Sequence, residues 1–417
     1  MGIETRPLRP AAREHFYTWR TDIASQDTPM TTSFRALATT ASLTSLLSYA
    51  SVMLITPASI NEIGRTYDLQ EQQLGVLFLA LAVAFMFTVL GAGRFSDRYG
   101  KLRSMFIGNV IMAVGLCLFG SARSFEMAIL ASAINGIGGG FTEGTAMSLV
   151  ADLYVGRRQT SWVNASQAAF GVGAMGSPVL ISLLIRSGYH WQTGYFLVAA
   201  ICTCCALIAL AGILAKGEKP VGAHAEHGSW RKLVSDRFLA WMCVGVFLYV
   251  SAELGTSSWL ARHFRFGLHS SWALAAQSNA YYWAGLLGGR LAAAWASHKM
   301  DEISLIRLCL GGAAAAHVAL LLAGAPGPAL VCSTILGFFL GPIFPTIFSV
   351  AGKSHPQQSG TVGGIVLVFG SFGSVVTPPV IGLLSATVGI SHALWMSVVI
   401  LAGNLVMYTW IGRKHKA

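Results

Sequence analysis

The chain has 417 residues, 54% of them hydrophobic and only 11% charged, with a formal net charge of +11. Soluble globular domains carry about a quarter charged residues, so these values exclude an ordinary soluble protein. Mean hydropathy is +0.60, and the apolar residues gather into stretches of about 20, the length that crosses about 30 Å of hydrocarbon.

Residues 1–35 hold five arginines and four acids and lack the apolar core of a cleavable signal peptide. They read as a cytoplasmic N-terminal tail, and Met30 is an alternative start because everything the fold needs follows it. Six spans are then predicted at 36–57, 72–92, 104–121, 126–154, 160–186 and 190–215. Between the second and third lies LGAGRFSDRYGKLRSM, in which Gly93, Asp97, Arg98, Gly100, Lys101 and Arg103 fit the pattern GxxxDRxGKxR. A turn joining two spans must be short and charged. Gly93 would let two helices approach, Gly100 would permit a tight reversal, and Asp97 would sit at the N-terminal dipole of a neighbouring helix.

The fourth span carries Glu143 and the run Gly136, Gly138, Gly139 and Gly140. The run follows no strand, so it reads as close helix packing rather than a dinucleotide loop. Asp152, just before Arg157 and Arg158, reads as one side of an ion pair. In the fifth span Asn164 and Gln167 lie one turn apart on one face. Residues 216–236 form the longest polar run after the tail and read as a cytoplasmic linker. His224 and His227 within it are expected in solvent rather than on a metal.

Six further spans follow at 237–261, 272–296, 303–323, 327–352, 358–386 and 390–412, then a cytoplasmic tail at 413–417. The halves echo each other weakly. Gly289 and Arg290 align with Gly93 and Arg94, and PVLISLL from Pro178 corresponds to PVIGLL from Pro379. The expected fold is an all-α membrane protein. Its twelve transmembrane helices form two pseudo-symmetric six-helix bundles, 36–215 and 237–412, around a central cavity where a small solute binds near the bilayer midplane.

The bases set the orientation. With the N-terminus inside, cytoplasmic segments and their flanking turns, Arg290 included, hold 23 of the 28 Lys and Arg residues. Outer loops keep only Arg65, Arg123, Arg186, Arg262 and Arg265, so both termini are expected in the cytoplasm. This asymmetry accounts for the net charge without a nucleic-acid partner. The seven cysteines all fall in predicted spans without companion histidines or acids and read as small apolar residues, not a disulfide framework or metal site.

Carboxylates within a span are costly and usually face a cavity. Glu143 and Glu253 are the two acids deep inside predicted spans. Near them stand Asn164 and Gln167, and in spans seven and eight Tyr249, Trp259, Gln277, Asn279, Tyr281, Tyr282 and Trp283. Amides and carboxylates bond several hydroxyls at once, and an aromatic ring covers the C–H face of a pyranose. The expected substrate and coupling residues are Glu143, Gln167, Asn164, Glu253, Asn279, Trp259 and Tyr282.

The loop pattern resembles that between the second and third helices of the major facilitator superfamily. GGFTEGTAMSLVADLY, WVNASQAAFGVGAMGSP, FLYVSAELGTSSWLARHF, YYWAGLLGGRLAAAWA and GFFLGPIFPTIFSVAGK are similar to helices four, five, seven, eight and ten of the fucose permease group of sugar–proton symporters. The resemblance spans residues 70–410 in the right order. It implies a coupling and sugar-binding role for Glu143, with the group's glutamine at Gln167 and its seventh-helix glutamate at Glu253. Two departures stand out: the group's first-helix aspartate would fall near Pro57, where span one has no acid, and an asparagine is replaced by Phe170.

The expected function is secondary transport of a monosaccharide or similar polar solute by proton symport and alternating access, in the inner membrane, as a monomer. The alternatives are an uncoupled or sodium-coupled sugar carrier, an efflux transporter of the same fold, and a transport-dead sensor. No cofactor beyond the coupling ion is expected, and with no nucleophile–base pair or phosphate loop in the sequence, no enzyme.

Overall fold

The structure is a computed structural model that describes residues 32–154, 157–215, 236–296, 300–354 and 359–414. Its first half contains α1 Thr32–Tyr67, α2 Glu71–Tyr99, α3 Lys101–Gly120, α4 Phe125–Leu153, α5 Arg157–Arg186 and α6 Gln192–Leu214. The second half contains α7 Arg237–Arg262, α8 Trp272–Ala296, α9 Glu302–Leu322, α10 Pro326–Leu340, α11 Ile343–Ser354, α12 Ser359–Val388, α13 Ile390–Ala393 and α14 Trp395–Lys414. α10 with α11, and α13 with α14, each make one pass, so the described chain crosses twelve times. It starts and finishes at one end, called here the terminal end.

Local chemistry sets the helix boundaries. The Ser124, Asp236 and Asp301 side chains accept backbone N–H groups at the starts of α4, α7 and α9, which satisfies donors a helix leaves open. Gly100, at φ +101°, separates α2 from α3. The first span runs ten residues beyond its predicted end because Pro57 is accommodated inside α1. The tenth is broken at Gly341 and Pro342, where proline removes a helical donor.

Among the described residues ten stretches are long and apolar enough to cross a bilayer. α4 and α8 match them in length, but their apolar runs are interrupted by Asn135, Thr142 and Glu143 in one and by Gln277, Asn279 and Arg290 in the other. Outward faces are apolar: Phe87, Leu214, Leu322, Val399 and Val406 are exposed, which suits lipid rather than water.

The two halves repeat one packing plan. α1 lies on α5 as α7 lies on α12, α2 on α4 as α8 on α10, and α3 on α6 as α9 on α14. Small residues make the tight seams. A methyl on Gly136 would lie 2.1 Å from the Leu81 carbonyl oxygen, and one on Gly285 would lie 1.9 Å from that of Thr334. α2 packs on α12 and α5 on α8 across the halves, with α1 against α7 between them.

Candidate functional site

A cavity of about 170 Å³ lies between the halves. Cavities of about 150 Å³ admit a six-membered ring. Its wall is mostly apolar: Met53, Pro57 and Phe85 of the first half face Leu254, Phe344 and Leu367 of the second. Within it the first half presents Tyr49, Glu143 and Gln167, and the second presents Glu253, Ser257, Trp283 and Arg290.

The polar groups are held from behind. Tyr249 Oη donates to Glu253 Oε1 at 2.7 Å, from one turn away on α7. The Tyr49 hydroxyl faces the Glu143 carboxyl. Tyr49 in turn stacks on Phe85 at 5.7 Å, which fixes its ring. Phe170 of α5 meets Trp283 of α8 at 5.8 Å, closing one wall across the halves. Gln167 Nε2 donates to the Met147 sulfur, and Gln167 Oε1 accepts from Arg290 Nη1 at 3.1 Å.

Three of the expected solute contacts, Trp259, Asn279 and Tyr282, are not on the wall of this cavity. Trp259 is buried and donates to the Pro378 carbonyl oxygen. Asn279 is buried with its Oδ1 taken by Ser257, whose Oγ also accepts from Trp283 Nε1. Tyr282 is buried and donates to the Glu253 carbonyl oxygen at 3.1 Å. Each braces the helix that carries a wall residue. The reason is helical phase: Glu253 and Ser257 share a face four residues apart, while Trp259 lies two residues further round. The Asn164 side chain lies outside the described residues.

Arg290 was expected among the bases flanking an inner loop and is instead inside the cavity. It is the charged cavity residue that sequence reading passed over. Its signal was there: the apolar run from Leu291 to Ala296 follows it before the next charge, which places it within the span.

In the loop motif, Lys101 pairs with Asp152, tying α3 to α4, while the Arg157 and Arg158 side chains lie outside the described residues. Arg98 lies over the Tyr99 ring at 5.3 Å and Arg103 is exposed. Gly93 meets nothing within 4 Å where a methyl would stand, so it is not a point of close helix approach. The Asp97 side chain lies outside the described residues.

Among the described residues, several contacts that join the halves gather at one end. At the end remote from the termini, Arg262 Nε and Nη2 both donate to Glu71 Oε1, at 2.9 and 2.7 Å. Asn61 Nδ2 donates to the Ala261 carbonyl oxygen, Arg186 bonds Gln277, and Phe78 meets the Trp259 ring edge-on at 5.5 Å. All these contacts join one half to the other. At the terminal end the ion pairs of the described residues, Lys101–Asp152 and Lys353–Glu302, stay within one half each.

The family model described as Major Facilitator Superfamily matches residues 41–373. A protein named glucose/galactose transporter from Brucella abortus biovar 1 (strain 9-941) is 26% identical over 366 residues, covering 79% of this chain and 83% of that protein. Protein TsgA of Salmonella newport (strain SL254) is 26% identical over 328 residues, covering 76% of this chain and 80% of its own. Among solved structures, a bacterial homolog of the human lysosomal transporter Spinster, inward-facing and occupied, superposes with a TM-score of 0.78 at 16% identity. That match covers 92% of this chain and 98% of the other.

Proposed function

The chain belongs to the Major Facilitator Superfamily and is a multi-pass membrane transporter rather than an enzyme, and we propose that it moves a monosaccharide or similar small polar solute by proton symport. The observation that carries the reading is the cavity itself, with Glu143 and Gln167 contributed by one half and Glu253 and Trp283 by the other. Carboxylates and an amide suit hydroxyls, and the indole face suits a ring. The similarity to a protein named glucose/galactose transporter supports a sugar as the solute.

The coupling ion is the proton in this reading. A neutral carboxyl donates to a hydroxyl and an ionised one only accepts, so solute binding and protonation of Glu143 depend on each other. The wall contributes Pro57 rather than an acid from α1, and this favours sodium coupling or no coupling as the second reading. Both termini are cytoplasmic and the membrane is the inner membrane, supported by the distribution of bases. On that orientation the end held by Arg262 and Glu71 faces outside, and the protein works as a monomer.

A panel of radiolabelled monosaccharides offered to proteoliposomes, with and without an imposed pH gradient, tests the reading. Saturable uptake that concentrates one sugar only when the gradient is present is the expected result. Uptake that saturates but never exceeds equilibrium transfers the case to the uncoupled or sodium-coupled carrier. Transport of amphiphiles without any sugar response overturns the sugar assignment.

A further inference from the structure

Two histidines stand apart from the cavity, in the second half toward the end remote from the termini. His263 opens a π-helical turn, His263–Gly267, that follows α7 directly, and His317 lies on α9. Both side chains are buried, and His317 lies close enough to sense a charge on His263. His263 Nδ1 meets the Ser391 hydroxyl of α13 at 3.0 Å. His263 Nε2 and both ring nitrogens of His317 have no hydrogen-bond partner; the Leu320 carbonyl approaches the His263 ring without completing a bond. Buried polar atoms without partners are destabilising and rare, and here two neighbouring rings supply three.

The backbone that carries His263 is suited to move. A π turn is a rare interruption of a helix, found often at functional places, and this one starts at the residue after Arg262, which holds Glu71 across the halves. The ring's seat is tight: a methyl on Gly267 would collide with Ser391 Oγ and lie 2.8 Å from His263 Nδ1.

A charge in that seat has neither water nor a counter-ion. No acid is among the groups that bear on either ring. In the described parts of the elements packed around the pair, the charged groups are committed elsewhere. Arg262 bonds Glu71, Arg265 bonds the Ser270 carbonyl, and the exposed His392 meets the Val388 carbonyl. Glu253 and Arg290 face the cavity, while Arg237, Glu302, Arg307 and Lys353 stand toward the terminal end. Glu62 of α1 approaches Arg265 and is the rival titrating group of this region.

We propose that His263 and His317 form a proton-sensitive latch on the end held by Arg262 and Glu71. A proton taken from water forms an N–H bond on one of the rings, the charged ring leaves its seat against Ser391, and the moving turn carries Arg262 off Glu71. The latched conformer keeps both rings neutral, whereas hydrated rings titrate in the ordinary histidine range, about pH 6.5. The open conformer therefore binds more protons, and a fall in pH through that range favours it. On the orientation proposed above, the pH sensed is that outside.

The test uses the full chain in lipid nanodiscs, where both ends meet the same pH and orientation does not enter. Spin labels on cysteines at Tyr189 and Ala325, exposed positions on the two halves at this end, report their separation by pulsed electron resonance once the seven native cysteines are replaced. Between about pH 8 and about pH 5 the ratio of long to short distances should rise about tenfold or more. H263Q/H317L should abolish that rise. H263Q alone, which keeps a side chain able to bond Ser391, should lose most of it and serves where the double variant does not fold. A wild-type ratio that is flat over this range overturns the latch, and so does a rise that H263Q leaves unchanged. A rise that survives the loss of the histidines and vanishes in E62Q belongs to Glu62 and overturns it too. No solute enters the measurement, so the symport reading stands or falls separately.

Discussion

Gln167 is bound on both sides of its amide, by Met147 sulfur and by Arg290. A solute that uses this amide must replace the Arg290 bond, so Gln167→Ala removes a solute contact and frees the guanidinium together. Affinity in equilibrium binding should fall by about 1–3 kcal/mol, the cost of a lost desolvated hydrogen bond. Unchanged affinity would return Gln167 to a packing role between α5 and α8. Glu143→Gln, which mimics the protonated acid, should still bind solute and exchange it but lose accumulation driven by a pH gradient. Accumulation that survives this change would remove Glu143 from the proton pathway.

At the scale of elements, α8 and α10 press together at Gly285, Gly289, Gly337 and Gly341, where an added methyl would meet a backbone carbonyl of the opposite helix within 2.2 Å. Backbone cannot step aside as a side chain can, so Gly285→Ala should destabilise by about 1–3 kcal/mol, the usual cost of overpacking. Gly93→Ala meets open space and should leave the melting temperature in detergent within error. Equal losses for the two would sink this reading of the seam. The twelve spans were legible because hydrophobic thickness demands a run of apolar residues whatever the tertiary partners. Glu143, Gln167 and Glu253 were legible because polar groups stand out against such runs. Helical phase was not legible in the same way. α7 and α8 carry aromatics on several faces, and α8 adds two amides, so Trp259, Asn279 and Tyr282 could not be separated from Trp283 until their neighbours were known. Arg290 was absorbed into the charge count of a loop because Arg94, its counterpart in the first half, lies near one.

For the whole molecule, the closed end gives the conformational equilibrium a physical handle. Arg262 grips Glu71 through two donors across the halves, and the pair is largely covered, with side-chain exposures of 10% and 18%. The Arg262 guanidinium also lies 4.2 Å above the Phe266 ring, which leaves it poorly hydrated once its carboxylate is gone. Removing one partner of a buried pair costs about 3–5 kcal/mol. A shift of about 5.5 kcal/mol takes a two-state equilibrium from 1:99 to 99:1, so even part of that cost moves the population strongly. Glu71→Gln should favour the conformer open at this end, and the charge reversal Glu71→Arg with Arg262→Glu should restore closure. A cysteine at Met53, on the cavity wall, in a chain whose seven native cysteines are replaced, reports the change. Labelling by a membrane-impermeant thiol reagent added outside intact cells should rise several-fold in Glu71→Gln and return toward baseline in the reversed pair. If Glu71→Gln leaves labelling unchanged, the seal resides in the Phe78–Trp259 contact and the packing of Gly75 against Pro379. The ion pair then only decorates a closure made by shape.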